Sequence, residues 1–398
     1  MTDKLTKKGY SDDMSNLIED SKPIKLNWIN VIFLIITPVL ALVGSIWHGM
    51  TYGVTWVELS IFFIWYFACG LSITVGYHRL FSHRSHQAIL PLRILYALFG
   101  AGAFQNSILE WCSDHRKHHK ETDQEGDPYN ATRGFWWSHF FWILVDEEDG
   151  EVDYSNVRDL QKDWVVRLQH RFIFTIGFLV GMVAPALVGY AIGGIPTAIG
   201  GFIWGGLVRT VFVHHGTFLI NSAAHVWGKQ SYTTSNSSKD SLWLAFFTFG
   251  EGYHNFHHAF QADYRNGIRW WHWDPSKWWI GAFSLVKFNS NLKRTPKASI
   301  ETAKMRTSFS KIANQSEEKH TESTMNMFES RSNECISAMR EALRYLDEKR
   351  GLLRQSSSNA RQIIVEQIAH TKDKIMAINT EFQAILDDMM KPSPHPSV

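Results

Sequence analysis

The sequence predicts an all-α membrane protein: four transmembrane helices, a cytoplasmic helical cap holding a two-metal histidine site, and a C-terminal helical hairpin or coiled-coil tail. Three observations carry this. Four apolar stretches are each long enough to cross a bilayer. Of nineteen histidines, nine fall into four short clusters, and beyond about Lys293 the chain turns polar and helix-forming.

Composition sets the frame. Apolar residues are bunched over the 398 positions, so a mean hydropathy of −0.18 averages membrane-like spans with a polar tail. A net charge of +2 without a clustered basic face argues against a nucleic-acid partner, because neutralising a phosphate backbone takes such a face. Cys69, Cys112 and Cys335 are odd in number and far apart. That suits neither a disulfide framework nor a thiolate metal site, and points to reducing surroundings. The segment 1–27 is polar and mixed in charge, without the apolar core and cleavage site of a signal peptide, so the first span is expected to stay attached.

The spans are expected at 28–47, 54–75, 172–192 and 195–220, in two pairs. The links within the pairs lack Lys and Arg. By contrast Lys4, Lys7, Lys8, Lys22 and Lys25 precede the first span, and Arg79, Arg84, Arg93, Arg116, Lys117 and Arg133 lie between the pairs. The positive-inside rule then places the N-terminus, 76–171 and everything after Asn221 in the cytoplasm. The stretch 88–104 is apolar but short and contains Pro91 and Arg93; it reads as a buried or interfacial helix, since a fifth crossing would separate the histidine clusters. Trp270, Trp271, Trp273, Trp278 and Trp279 with Lys277 suit a segment at the level of lipid headgroups and membrane lipid as a partner.

The chain thus divides into a cytoplasmic N-terminal segment at 1–27, a membrane domain at 28–292 and an extension at 293–398. In the extension, Ile336, Met339, Leu343 and Leu346, and later Ile368, Ile375, Ile378, Phe382 and Ile385, follow helical spacing, with Gly351 and three serines between them. Two amphipathic helices are expected, at about 317–349 and 359–390, before a disordered end at 392–398. Their apolar stripes are narrow, so each must bury its stripe against the other, a second copy in self-association, the membrane surface or an electron donor.

The chemistry lies in His78-Arg-Leu-Phe-Ser-His83, His115-Arg-Lys-His118-His119, Asn221-Ser-Ala-Ala-His225 and His254-Asn-Phe-His257-His258. Positions i, i+3 and i+4 share a helix face, so each HxxHH segment aims three imidazoles at one point, and Asn221 and His225 pair the same way. His78 and His83, five apart, share no face of a regular α-helix unless it ends or bulges between them. A lone histidine is usually structural, but nine clustered at cytoplasmic helix ends are not. They exceed what one metal can bind and suit two metals with open positions; a sulfur-free imidazole set is compatible with Fe, Zn, Cu or Ni. His86, His139, His170, His272, His320, His370 and His395 are expected at the surface or interface, and His48 at the opposite membrane face. His214, with His215 beside it, lies two turns from Asn221 on the same face, suiting a place behind the ligands or along a tunnel.

HRLFSH, HRKHH and HNFHH, with NSAAH before the last, resemble the histidine boxes of the acyl-CoA desaturase family, in its stearoyl-CoA and bacterial acyl desaturase branch. The flanking LPLRILYALFGAGAFQN, Asp127-Pro128, RGFWWSH and GEGYHNFHH are similar too, over about 27–288. The resemblance implies that His78, His83, His115, His118, His119, His225, His254, His257 and His258 bind two Fe2+ ions, with Asn221 holding one through water. It implies dioxygen as co-substrate, a cis double bond at Δ9 of a long saturated acyl chain, and a bacterial inner-membrane location with both termini and the site cytoplasmic. The sequence has no flavin or nicotinamide fingerprint and no haem or iron–sulfur motif, so two electrons must come from outside. A b-type cytochrome, or a ferredoxin, with an NAD(P)H reductase is the family expectation. Asn30, Asn106 and Asp114 match the family's substrate contacts, Phe218 stands where the family has Trp, and Tyr66 matches the closed end of its acyl tunnel. Ser113 and Asp146-Glu147 replace basic residues, and acidic groups repel CoA phosphates. An acyl thioester, a phospholipid-bound chain and a carrier-protein-bound chain all remain open as substrate. The alternatives are a fatty-acid or alkane hydroxylase on the same scaffold, and a zinc or haem membrane transporter, which predicts polar mid-membrane groups that the first and third spans lack.

Overall fold

The computed structural model describes residues 25–146 and 153–391; most of the expected N-terminal segment, Glu147, His395 and the end at 392–398 lie outside them. Among the described residues, three helical runs are long and apolar enough to cross a membrane. Helix α1 (Trp28–Tyr52) starts where the Asn27 side chain accepts a hydrogen bond from Asn30 N. Its 25 residues reach roughly 37 Å at the α-helical rise, against about 30 Å of bilayer hydrocarbon. Ile29, Ile32, Ile35 and Leu42 are exposed along it, which suits lipid and not water.

Helix α2 (Trp56–Leu71) begins with a capping box, in which Thr55 Oγ1 accepts from Val57 N at 3.1 Å and Glu58 accepts from Thr55 N at 2.9 Å. It passes without a break into a π-helical segment, Ser72–Ser82, so the helix outruns the apolar stretch by a turn and a half and carries the first histidines out with it. The short apolar stretch forms α3 (Leu90–Ala101), which buries Leu92, Tyr96 and Ala97 against that segment. A second capping box, Ser107 with Glu110, starts α4 (Ile108–Glu121).

The third run, Ile173–Val226, is 54 residues long and reverses at Gly193–Gly194, where Gly194 has φ +68°, a conformation glycine reaches without a Cβ clash. Its two arms, α5 (173–192) and α6 (195–226), lie antiparallel in near-contact: a Cβ on Gly189 would fall 2.2 Å from the Thr197 carbonyl oxygen, and one on Gly201 2.3 Å from that of Pro185. The C-terminal ends of α2 and α6 emerge on the same side, where His78 meets His257 and His225 meets His254. There they meet two short helices, α7 (His254–Ala259) and α8 (Pro275–Leu285), and a two-stranded sheet the all-α expectation omits. It pairs β1 (Gln87–Ala88) with β2 (Asn289–Ser290) antiparallel, Gln87 opposite Ser290. Trp270, Trp271 and Trp278 are exposed beside α8.

The extension has three long helices, not two: α9 (Lys297–Ser316), α10 (Glu322–Leu353) and α11 (Ser358–Met390). The apolar residues of α9, such as Ala298 and Met305, are thinly spread among Lys, Thr and Ser, so its period is weak in the sequence. They nevertheless complete a separate core with Phe328, Met339, Leu343, Phe382 and Ile385. The link before α9 is tied to the membrane domain, with Lys293 N donating to Ser85 O at 2.9 Å and Thr295 N to Asp263 Oδ2 at 2.8 Å. Because the tail closes its own core, Phe382→Ala should destabilise it by about 3–5 kcal/mol and open α9–α11 to hydrogen exchange while α4 stays protected. Protection lost in both would make them one cooperative unit.

Candidate metal centre

The first histidine pair depends on the π-helical segment. An α-helix would splay residues five apart, whereas the i→i+5 bonding of a π-helix stacks them. His83 N donates to His78 O at 3.0 Å, and the two rings stand 4.7 Å apart. The α4 residues His115, His118 and His119 face them. Helix α7 brings His254, His257 and His258, and is held by two side chains, Asp240 and its own buried Asn255. Asp240 Oδ1 accepts from Phe256 N at 3.0 Å, and Asn255 accepts from Ser231 N and Tyr232 N and donates to the carbonyls of Thr233 and Ser238. His225 sits in the last turn of α6, just past a break at Ser222.

These nine rings converge as two sets. Nitrogens of His78, His83, His115, His119 and His257 lie within 4.8 Å of one another, as do those of His118, His225, His254 and His258. Within the sets Nε2 meets Nε2 at 3.0 Å for His78 and His257, 2.8 Å for His83 and His115, 2.9 Å for His119 and His257, and 3.1 Å for His225 and His254. Four of the outward nitrogens lie beside a polar group. His78 Nδ1 lies 3.0 Å from Glu251 Oε2, His118 Nδ1 2.8 Å from Asp127 Oδ1, His115 Nδ1 3.1 Å from the Tyr129 hydroxyl and His225 Nδ1 2.7 Å from Ser237 Oγ. A carboxylate can only accept, so Asp127 holds the His118 proton on Nδ1 with a lone pair turned inward, and Glu251 beside His78 favours the same tautomer there. Lone pairs facing each other at such distances repel; a cation between them turns the repulsion into coordination. Burial, reinforced by the neighbouring imidazoles, pulls His115, His119, His254, His257 and His258 well below the usual histidine range, which keeps them in the neutral form that binds metal. The donor set therefore fits two metal ions, one per set.

A cavity of about 590 Å³ ends at this centre. Asn30, Asn106, Asp114, Phe218 and Asn221 line it, beside His78, His118 and His254. Asn30 also donates to Ile143 O at 2.9 Å, pinning α1 to the cap. Tyr66 does not line the cavity, which reaches no deeper than Ile73 on that helix; the Tyr66 ring packs on Phe62 and Phe249 instead. His214 lines the cavity and contacts Ala103 O at 2.8 Å. His86 and His139, expected at the surface, are buried, the latter between Ser222 Oγ at 2.8 Å and His215 Nδ1 at 3.1 Å. Sequence reading passed over Arg79, Asp127 and Glu251 as supports of the ligands. The signal was an acidic residue inside each matched flank, DP and GEGYHNFHH, where a histidine cluster needs an acceptor.

The fatty acid desaturase family model matches residues 59–284, more than half of the chain. The chain is 39% identical over 277 residues to a probable acyl-CoA desaturase of Schizosaccharomyces pombe and 38% identical over 290 residues to acyl-CoA desaturase 1 of Saccharomyces cerevisiae; these matches cover 69% and 72% of this chain but 56% of each yeast protein. It is 32% identical over 277 residues to the sn-1 stearoyl-lipid 9-desaturase of Anabaena variabilis, covering 70% of this chain and 97% of that protein. With the matched span enclosing all four histidine clusters, the chain belongs to the fatty acid desaturase family.

Proposed function

We propose that this chain is an oxygen-dependent fatty-acyl desaturase that introduces a cis double bond, at Δ9, into a long saturated acyl chain. One observation carries the reading: nine imidazoles in two metal-sized sets stand at the end of a cavity of about 590 Å³, a size that suits a long chain. Loss of two hydrogens from a methylene pair, with two electrons from a separate donor and two protons from solvent, reduces dioxygen to two waters. Two iron ions held by the histidine sets, with Asn221 behind the second, would supply the dioxygen activation that no side chain provides. The protein's own part is positional. The cavity wall orients the chain against the centre and keeps water from it, and Glu251 and Asp127 hold the ligand tautomers.

The hairpins α1–α2 and α5–α6 are read as four crossings, with the histidine-bearing ends, the cap and the tail in the cytoplasm of a bacterial inner membrane. At the cavity mouth Asp114, Glu125 and Asp146 accompany Lys25 and Lys117, with Asp146 accepting from Asn27 at 3.0 Å. This mixed surface is a poor match for the phosphates of CoA and accommodates a lipid-borne chain, the substrate class in the Anabaena relative's name. A b-type cytochrome or a ferredoxin is the proposed electron donor.

Expression in a host without its own desaturases, with lipids read by mass spectrometry, tests the reading. Δ9-monounsaturated chains are expected; a hydroxylated product, or none from a well-expressed protein, sinks it. His118→Ala and His257→Ala should lose both product and bound iron, while His320→Ala and His370→Ala retain them. Glu251→Gln should weaken iron binding by roughly 10–100-fold, measured by metal titration, because an amide can satisfy His78 with the wrong tautomer. A chain ending at Pro296 should keep its iron and turn over with a surrogate reductant.

A further inference from the structure

A second pocket of about 140 Å³ lies between α1 and α6. It shares Phe33, Leu34, His214 and Phe218 with the acyl cavity, and Ile35, 61% exposed, stands at its outer edge on the lipid-facing side of α1. Its origin is local. Pro38, inside α1 and on the pocket wall, cannot donate to the carbonyl of Leu34, and its ring presses on that carbonyl, loosening α1 where it faces α6.

The lining decides what fits. Thr210 Oγ1 donates to Gly206 O at 2.8 Å, His214 Nε2 is engaged with Ala103 O at 2.8 Å and His215 Nδ1 with His139 Nε2 at 3.1 Å, so these three atoms are taken, and of the rest of the lining only Thr37 and the second imidazole nitrogens are polar. A water needs two to four partners, and apolar cavities of about 150 Å³ stay dry and take up xenon. An acyl chain needs far more room than this pocket has. What remains is a small apolar molecule arriving from the hydrocarbon side, where dioxygen is more soluble than in water. A substrate-filled main cavity would block the direct path, leaving the shared wall of Phe33 and Phe218 as the way round.

We propose that this pocket is an antechamber for dioxygen, from which the gas reaches the metal centre while the acyl chain occupies the main cavity. The proposal rests on the desaturase reading. Val211 lines the pocket but not the acyl cavity, so Val211→Phe fills the one and spares the other.

The test uses the full-length iron-loaded protein in lipid nanodiscs. Xenon is expected in the wild-type pocket, by xenon NMR or in xenon-pressurised crystals, and should be lost in Val211→Phe. That variant should raise the KM for dioxygen several-fold with the KM for the acyl substrate and the product chain length unchanged. Val211→Ala, which enlarges the pocket, should keep both xenon and the wild-type dioxygen KM, and serves if the larger side chain does not fold. No xenon in the wild-type pocket, an unchanged dioxygen KM in Val211→Phe, a raised one in Val211→Ala, or a shift in chain length would each overturn the antechamber alone. Failure of the protein to consume any dioxygen would instead overturn the desaturase reading beneath it.

Discussion

The buried guanidinium of Arg79 is the constraint on which the rest of the site depends. It lies between the two histidines of the first cluster and is 1% exposed. It donates to Glu251 at 2.8 and 3.1 Å, to Asp274 Oδ2 at 3.2 Å and to the Tyr264 carbonyl at 2.8 Å. Glu251 in turn reaches His78, and Asp274 caps α8 by accepting from Lys277 N at 2.9 Å. One cation therefore locks the end of α2 to the segment leading into α7 and to the tryptophan-bearing layer beside it. Removing one partner of such a buried set costs about 3–5 kcal/mol, because the remaining charge is stranded away from water. Here it would also release the ligand helix.

Arg79 works together with the imidazoles it surrounds. Ring nitrogens converging at 2.8 to 3.2 Å are an unfavourable assembly unless cations sit among them, so folding and metal loading are linked. The outer acceptors Asp127, Tyr129, Glu251 and Ser237 set the ring orientations in advance, which lowers the reorganisation needed on binding. The same logic explains the π-helical segment: a costlier backbone geometry is kept where it brings His78 and His83 to one face.

A second buried arginine organises the cavity wall. Arg209 on α6 has no carboxylate partner among the described residues; it donates to the carbonyls of Gly102, Gly181 and Gly205 at 2.6, 2.7 and 3.0 Å. With His214 at Ala103 O and Gln105 donating to Thr217 at 2.9 Å, it fastens the 102–106 loop to α6. Two residues of that loop, Phe104 and Asn106, have φ of +56° and +65° and line the cavity. Side chains at left-handed φ are strained and persist only where surroundings hold them. The three bonds from α6 are that hold.

The apolar runs, the near-absence of cations in their links and the HxxHH spacing were legible in the sequence because each is a local pattern: hydropathy over about 20 residues or a repeat of three and four. So were the family and the nine histidines. The three-helix tail was half legible, since α10 and α11 have strong stripes and α9 does not. What only the tertiary structure decided were contacts between distant positions: Arg79 with Asp274, His118 with His258, Arg209 with Gly102, and the placing of Tyr66 outside the cavity. A π-helical register, a buried charge or a shared wall between two cavities leaves no periodic trace, because its energy comes from neighbours that the chain brings together only when it folds.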